Sequence, residues 1–146
     1  MTDQVTVLDA MVILEREDGR ILLIERANTG YADGLLNLPS GKVERGESVK
    51  EAAVREAFEE VGVKIDAVDL RPVHVVHHRN PEGNARVGWF FATTRWEGKP
   101  YNAEPAKCAG LTWADPDHLP DNTVPYNAHG IAQYRRGISL SLHGWS

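Results

Sequence analysis

One stretch limits the fold more than any other: Arg-Glu-Ala-Phe-Glu-Glu-Val-Gly, from Arg55 to Gly62. It is written in strong helix formers and ends on a glycine suited to a left-handed helix cap. Within it Glu56, Glu59 and Glu60 fall three and four residues apart, so at roughly 100° per residue they share about one third of the helix circumference. Like charges so placed repel, and the only basic residue a turn further on, Lys64, lies beyond the helix end. Three glutamates in isolation describe a solvated acidic face. Two neighbours change that. Gly41 closes Leu-Pro-Ser-Gly just upstream, where glycine permits a tight turn that aims carbonyl oxygens at the helix. Glu47 adds a fourth carboxylate at the helix start, and Arg55 can pair with Glu51 or brace Glu47 and Glu56. Oxygen-rich clusters of this kind suit hard divalent cations, Mg²⁺ first and Mn²⁺ next, with waters and substrate phosphates completing the shell.

The rest of the chain bounds what such a cluster can serve. At 146 residues it has the length of a single domain, 1–146, able to bury a core without disulfides or structural metal. Its 42% hydrophobic and 25% charged content excludes disordered, collagen-like and membrane classes. The longest apolar runs, Ala10–Leu14 and Val87–Ala92, are too short to span a bilayer, and the start of the chain lacks a basic region followed by an apolar one. A cytoplasmic protein with no membrane partner is expected. Cys108 is the only cysteine and reads as a small buried hydrophobe. The net charge of −5 excludes a surface that coats a nucleic acid polymer, so a phosphate-bearing ligand needs local cations.

Local patterns lay out the elements. Residues 5–17 read as a β-branched strand, Asp18-Gly19 as a hairpin turn and residues 20–27 as the partner strand. Residues 28–41 read as a Gly- and Pro-marked loop. The helix starts near Glu47 or Ser48, with Ser48 as N-cap and Glu51 placed for a capping box, and its apolar side is Val49, Ala53, Ala57 and Val61. Two strands, 63–79 and 85–96, flank a turn at 80–84. A short strand at 111–115 and a helix over 124–137, with Pro125 in its first turn, complete a mixed sheet sandwiched by helices. His74, His77 and His78 lack the i,i+4 spacing of a helical metal pair and read as surface or core residues, while Trp89, Phe90 and Phe91 read as core. The alternating tail, 139–146, either pairs with a sheet edge or covers a homodimer surface.

The order Gly41, five residues, Glu47, seven residues, Arg55-Glu56-Ala57, one residue, Glu59-Glu60, one residue, Gly62-Val63 resembles the Nudix box with no fixed position substituted. The resemblance implies an α/β fold, the Nudix α/β/α sandwich with a mixed sheet, and a hydrolase acting on a nucleoside diphosphate linked to another group. It implies Glu56, Glu59 and Glu60 as metal ligands or base candidates, Arg55 as the residue that orients them, and the Ser40 carbonyl in the metal shell. Beyond the box, residues 25–42 resemble MutT-type members, which implies that Arg26 meets the nucleotide phosphates, with Lys42 the second cation. Residues 95–105 resemble the segment that brings a further glutamate over the metals, pointing to Glu104, with Glu97 as the competitor. The run 102–120 resembles nucleotide-diphosphatase members of the family, which implies Trp113 near the base pocket. The base-reading asparagine expected after Leu119-Pro120 has Thr123 at its ungapped position and Asn122 one place earlier, a departure from the pattern for oxidised guanine. The activity so implied is metal-dependent cleavage of a nucleoside triphosphate, a small-molecule nucleotide, to the monophosphate and pyrophosphate. A hydrolase of ADP-ribose or another diphosphate-linked nucleotide and a non-catalytic nucleotide sensor are the alternatives.

Overall fold

The computed structural model describes residues 5–145. Eight strands and two α-helices follow one another as β1 (Thr6–Leu14), β2 (Ile21–Arg26), β3 (Leu36–Asn37), β4 (Ser40–Lys42), α1 (Val49–Val61), β5 (Arg71–Arg79), β6 (Ala85–Thr93), β7 (Cys108–Ala114), α2 (Pro125–Arg135) and β8 (Leu140–His143). A five-stranded sheet in the order β4-β1-β6-β5-β8 is mixed, with β1 parallel to β6 and β8 parallel to β5. A smaller antiparallel sheet has the order β3-β2-β7.

The unbroken apolar run in β1 follows from burial on both faces. Alternate side chains point opposite ways. Ala10, Val12 and Leu14 pack with Ala52, Ala53, Ala57 and Val61 of α1, and Met11 and Ile13 pack on the other side with Phe90 and with Ile131 of α2. Phe90 and Phe91 stand back to back on β6, one in each layer, and each contributes roughly 1.5–3 kcal/mol on full burial. The approach of α2 depends on Gly130, where a Cβ would sit 2.2 Å from Phe90 Cζ. The result is the expected α/β/α layering.

α1 begins and ends as its sequence prescribes. Ser48 Oγ accepts from Glu51 N, the Glu51 carboxylate accepts from Ser48 N, and Gly62 closes the helix with φ 71°. Four expectations need correction. β1 and β2 meet only at a Glu15–Ile21 bridge and then diverge into different sheets, because β4 and β6 take both hydrogen-bonding edges of β1. Residues 63–70 are not strand: Asp66 caps a 3₁₀ turn over Ala67–Asp69, and β5 starts at Arg71. The loop over 28–41 contains β3 and the start of β4, too short to leave a period-2 pattern. β7 reaches back to Cys108 through a bulge opposite Glu25 and Arg26. The tail takes the first of its two readings for residues within 140–143, where β8 adds to the edge of β5.

Candidate active site

The repulsion on α1 is answered by Arg55. Its guanidinium grips Glu47 with two bonds (Nε to Oε2 2.7 Å, Nη2 to Oε1 2.8 Å), donates from Nη1 to Glu56 Oε1 at 2.7 Å and Glu59 Oε2 at 3.3 Å, and reaches the Lys42 carbonyl at 3.1 Å. One planar fork thereby organises three carboxylates, a geometry that lysine cannot supply. The expected alternative, Arg55 with Glu51, does not form, since Glu51 is engaged at Ser48. Arg55 bonding, with a backbone N–H bond, holds the Glu47 carboxyl down at about 2. Gly41 serves close approach and not a special turn. A Cβ there would lie 2.1 Å from Glu56 Oε1, and its φ is not in the left-handed region.

Glu56 and Glu60 have the opposite electrostatics to Glu47. Burial raises the Glu56 carboxyl above its ordinary range, opposed by Arg55 and reinforced by Glu59 and Glu104. Burial raises Glu60 well above the ordinary carboxylate range, opposed by the Ser40 N–H that donates to its Oε1 at 2.9 Å, with smaller upward contributions from Glu56 and Glu104. Glu56, Glu59, Glu60 and Glu104 all line one cavity of ≈ 520 Å³. Among the described residues no group of three His, Cys, Asp or Glu side chains stands close enough together to hold a metal ion by itself. An open, all-oxygen wall is instead the donor set that suits a hard divalent cation keeping waters and substrate phosphates in its shell. Glu97, the competitor of Glu104, is elsewhere: its backbone pairs with Lys64, and it lines a separate surface cleft.

Arg26 ends β2 and lines this cavity together with Lys107, a cation that no motif singled out. Its Nε donates to the Tyr31 carbonyl at 2.9 Å and its Nη2 to Thr29 Oγ1 at 3.2 Å, so the side chain also pins the loop after β2. Next to the carboxylate cavity lies a larger one of ≈ 650 Å³, and Arg26, Asn37 and Ser40 belong to both. Lys42 lines the larger cavity, with Asp9, Tyr31, His78, Arg86, Tyr126 and Asn127.

Three expected binding residues are absent from both linings. Trp113 stacks on Trp96 at 6.5 Å with the Arg16 guanidinium over its ring, on the face of the small sheet that it shares with its partner Leu22 and that packs with α1 into the core. Asn122 donates to the Gly34 carbonyl, and Thr123 is spent on the Pro120 carbonyl. Asn127, the third residue of α2, reaches the cavity, as do Asn37 and Asn80, and its Oδ1 accepts from Leu38 N at 3.0 Å. Asn37 Oδ1 is, among the described residues, the one buried side-chain polar atom without a partner. No motif singled out Asn127, although Pro125 marks the first turn of the helix that carries it.

This geometry agrees with comparison to known proteins. The NUDIX domain family model matches residues 5–134. The 8-oxo-dGTP diphosphatase of Escherichia coli (strain K12) is 31% identical over 129 residues, covering 87% of this chain and 95% of that protein. The putative 8-oxo-dGTP diphosphatase of Bacillus subtilis (strain 168) is 34% identical, covering 88% and 79%. Among solved structures, a MutT NUDIX hydrolase from Burkholderia pseudomallei superposes with a TM-score of 0.80 at 28% identity, covering 89% of this chain and 98% of that one. The chain belongs to the Nudix hydrolase family and is of the MutT type. Nudix hydrolases generally use divalent metals.

Proposed function

We propose that the protein is a Mg²⁺-dependent pyrophosphohydrolase that converts a nucleoside triphosphate to the monophosphate and pyrophosphate. One observation carries this reading. A carboxylate-lined cavity and a second, larger cavity share the wall formed by Arg26, Asn37 and Ser40, so a ligand with phosphates in the first has its nucleoside in the second. Glu56, Glu59, Glu60 and Glu104, with the Ser40 carbonyl, would hold the metal, for which Mn²⁺ is a substitute. When bound, that ion supplies Lewis-acid stabilisation of charge on the phosphate oxygens. Arg55 fixes Glu56 and Glu59, Arg26 and Lys107 meet the phosphates, and Lys42, which lines the larger cavity, stands on the nucleoside side. One of the carboxylates Glu56, Glu59 or Glu104 takes the proton of the attacking water as its oxygen bonds to phosphorus. The anhydride bond between the α- and β-phosphates breaks, and pyrophosphate leaves with the bond's electron pair. Asn37 and Asn127 face the base, in place of Asn122, Thr123 and Trp113.

The chain acts in this reading as one domain on a small nucleotide in the cytoplasm, with neither nucleic acid polymer nor membrane as partner. Among the described residues no helix is long and apolar enough to cross a membrane. Leu140 and Leu142 on the edge strand β8 are 61% and 62% exposed and are where a homodimer would bury apolar surface.

A panel of nucleotides with Mg²⁺, read by released phosphate and product identity, tests the reaction. Triphosphates are expected to yield monophosphate and pyrophosphate, excess chelator to abolish turnover, and Mg²⁺ or Mn²⁺ to restore it. Full activity in a metal-stripped sample would remove the mechanism. Faster turnover of ADP-ribose than of every triphosphate would move the protein to the diphosphate-linked class. Glu104→Gln is expected to lower kcat ~10-fold or more with KM within a few-fold, while Glu97→Gln is nearly silent. The reverse pattern would take Glu104 out of the reaction.

A further inference from the structure

At the end of the larger cavity away from the glutamates, the wall carries a charged pair. Asp9 on β1 is only 6% exposed. Arg86, on the neighbouring strand β6, donates to it through Nη2 at 2.7 Å and Nε at 2.8 Å, and the Tyr126 hydroxyl adds a third bond at 3.2 Å. Tyr126 is fixed there by Gly88, where a Cβ would lie 2.2 Å from its hydroxyl. A buried ion pair is weak evidence for stability, since apolar residues of similar volume often serve as well or better. A role towards a ligand explains it better.

Asp9 occupies the side edge of the guanidinium, Nε and Nη2. The end edge remains: Nη1 has no protein partner among the described residues, and Arg86 lines the cavity. Because Asp9 balances its charge and fixes its plane, Arg86 offers two directed donors and is a poor general trap for phosphate. Such an edge matches two adjacent acceptors, as in the pairing of Arg with O6 and N7 of guanine. Asn37, whose buried Oδ1 has no partner, lines the same cavity.

Resting on the reading that a nucleoside triphosphate puts its base in this cavity, we propose that Arg86 determines base specificity by selecting an edge with two adjacent acceptors. Guanine offers O6 and N7, cytosine O2 and N3, and each also carries an amino or ring N–H for Asn37. Adenine sets its amino group beside N7, and thymine sets N3–H between its carbonyls. 8-Oxoguanine carries N–H at position 7, which would point a donor at a donor. The protein therefore discriminates against oxidised guanine, the base in the names of its relatives.

The test is kcat/KM of the wild-type protein with Mg²⁺ for dGTP, 7-deaza-dGTP, dCTP, dATP, dTTP and 8-oxo-dGTP. Either dGTP or dCTP is expected to exceed dATP, dTTP and 8-oxo-dGTP by ~10-fold or more, the discrimination of a bidentate contact. A ~10-fold loss on 7-deaza-dGTP, whose N7 is a C–H, identifies guanine as the base read; a lead for dCTP identifies cytosine. Arg86→Lys, which keeps the charge and loses the fork, is expected to compress the preference to within ~3-fold. The inference is overturned if wild type turns over 8-oxo-dGTP as well as both dGTP and dCTP, or if Arg86→Lys keeps the preference. The wild-type arm decides even if the variant does not fold. Turnover of none of the six would overturn the triphosphate reading itself, and this inference with it.

Discussion

Glu59→Gln and Glu60→Gln are each expected to lower kcat by at least ~100-fold while the fold survives, because a metal-assisted step loses a ligand charge that an amide cannot replace. The two positions make the test clean for different reasons. Glu60 is a side chain whose structural bond is the one from Ser40 N, and a glutamine carbonyl can accept the same bond. Glu59 is more exposed, and its contact with Arg55 at 3.3 Å is the longest of that set of carboxylate bonds, so little packing depends on it. Thermal unfolding close to wild type, together with lost turnover, is the expected pair of measurements. Near-wild-type turnover in both variants would sink the metal assignment.

Gly41→Ala is expected to cost a similar ~100-fold, although no charged residue is substituted. The added methyl would occupy the place of the Glu56 carboxylate, 2.1 Å from Oε1 and 2.3 Å from Cδ. The carboxylate is the free end of a flexible chain, so it moves and the strand stays. Moving it breaks the 2.7 Å bond from Arg55 and takes one oxygen ligand out of the cavity, and displacement of a reacting group by about 1 Å can cost 10²-fold in rate. Steady-state kinetics beside a melting curve separate this from unfolding. Activity within a few-fold of wild type would mean that Glu56 is not held where the chemistry needs it.

The parts of the molecule that the sequence made legible are those whose determinants are local. Ser48, Glu51 and Gly62 bound α1 through contacts within a few residues, and the glutamate face needs only helical spacing. Arg55 was legible as a brace, though its choice of Glu47 over Glu51 depends on how the chain before α1 folds back, which spacing does not contain. The far wall of the larger cavity was not legible. Asp9, His78, Arg86 and Asn127 come from three strands and a helix, and each in isolation reads as an ordinary core or surface residue. His78 stacks on Tyr126 at 4.3 Å, a contact that exists only after β5 and α2 meet. The place of Trp113 is a long-range outcome too: its regular pairing with Leu22 fixes which face of the small sheet it takes, and that pairing joins strands far apart in sequence.

The parallel pairing of Thr6–Leu14 with Ala85–Thr93 has a consequence for how the chain comes to be made. Of the described strands, the first to be made has its parallel partner more than half of these 146 residues away. α1 forms on the microsecond scale, but its buried face has nothing to rest on until that long loop closes. Topologies governed by such distant pairings fold in roughly milliseconds to seconds, and synthesis proceeds at roughly 5–20 residues per second. For several seconds in each round of translation, therefore, the apolar segment Ala10–Leu14 is made and unpaired.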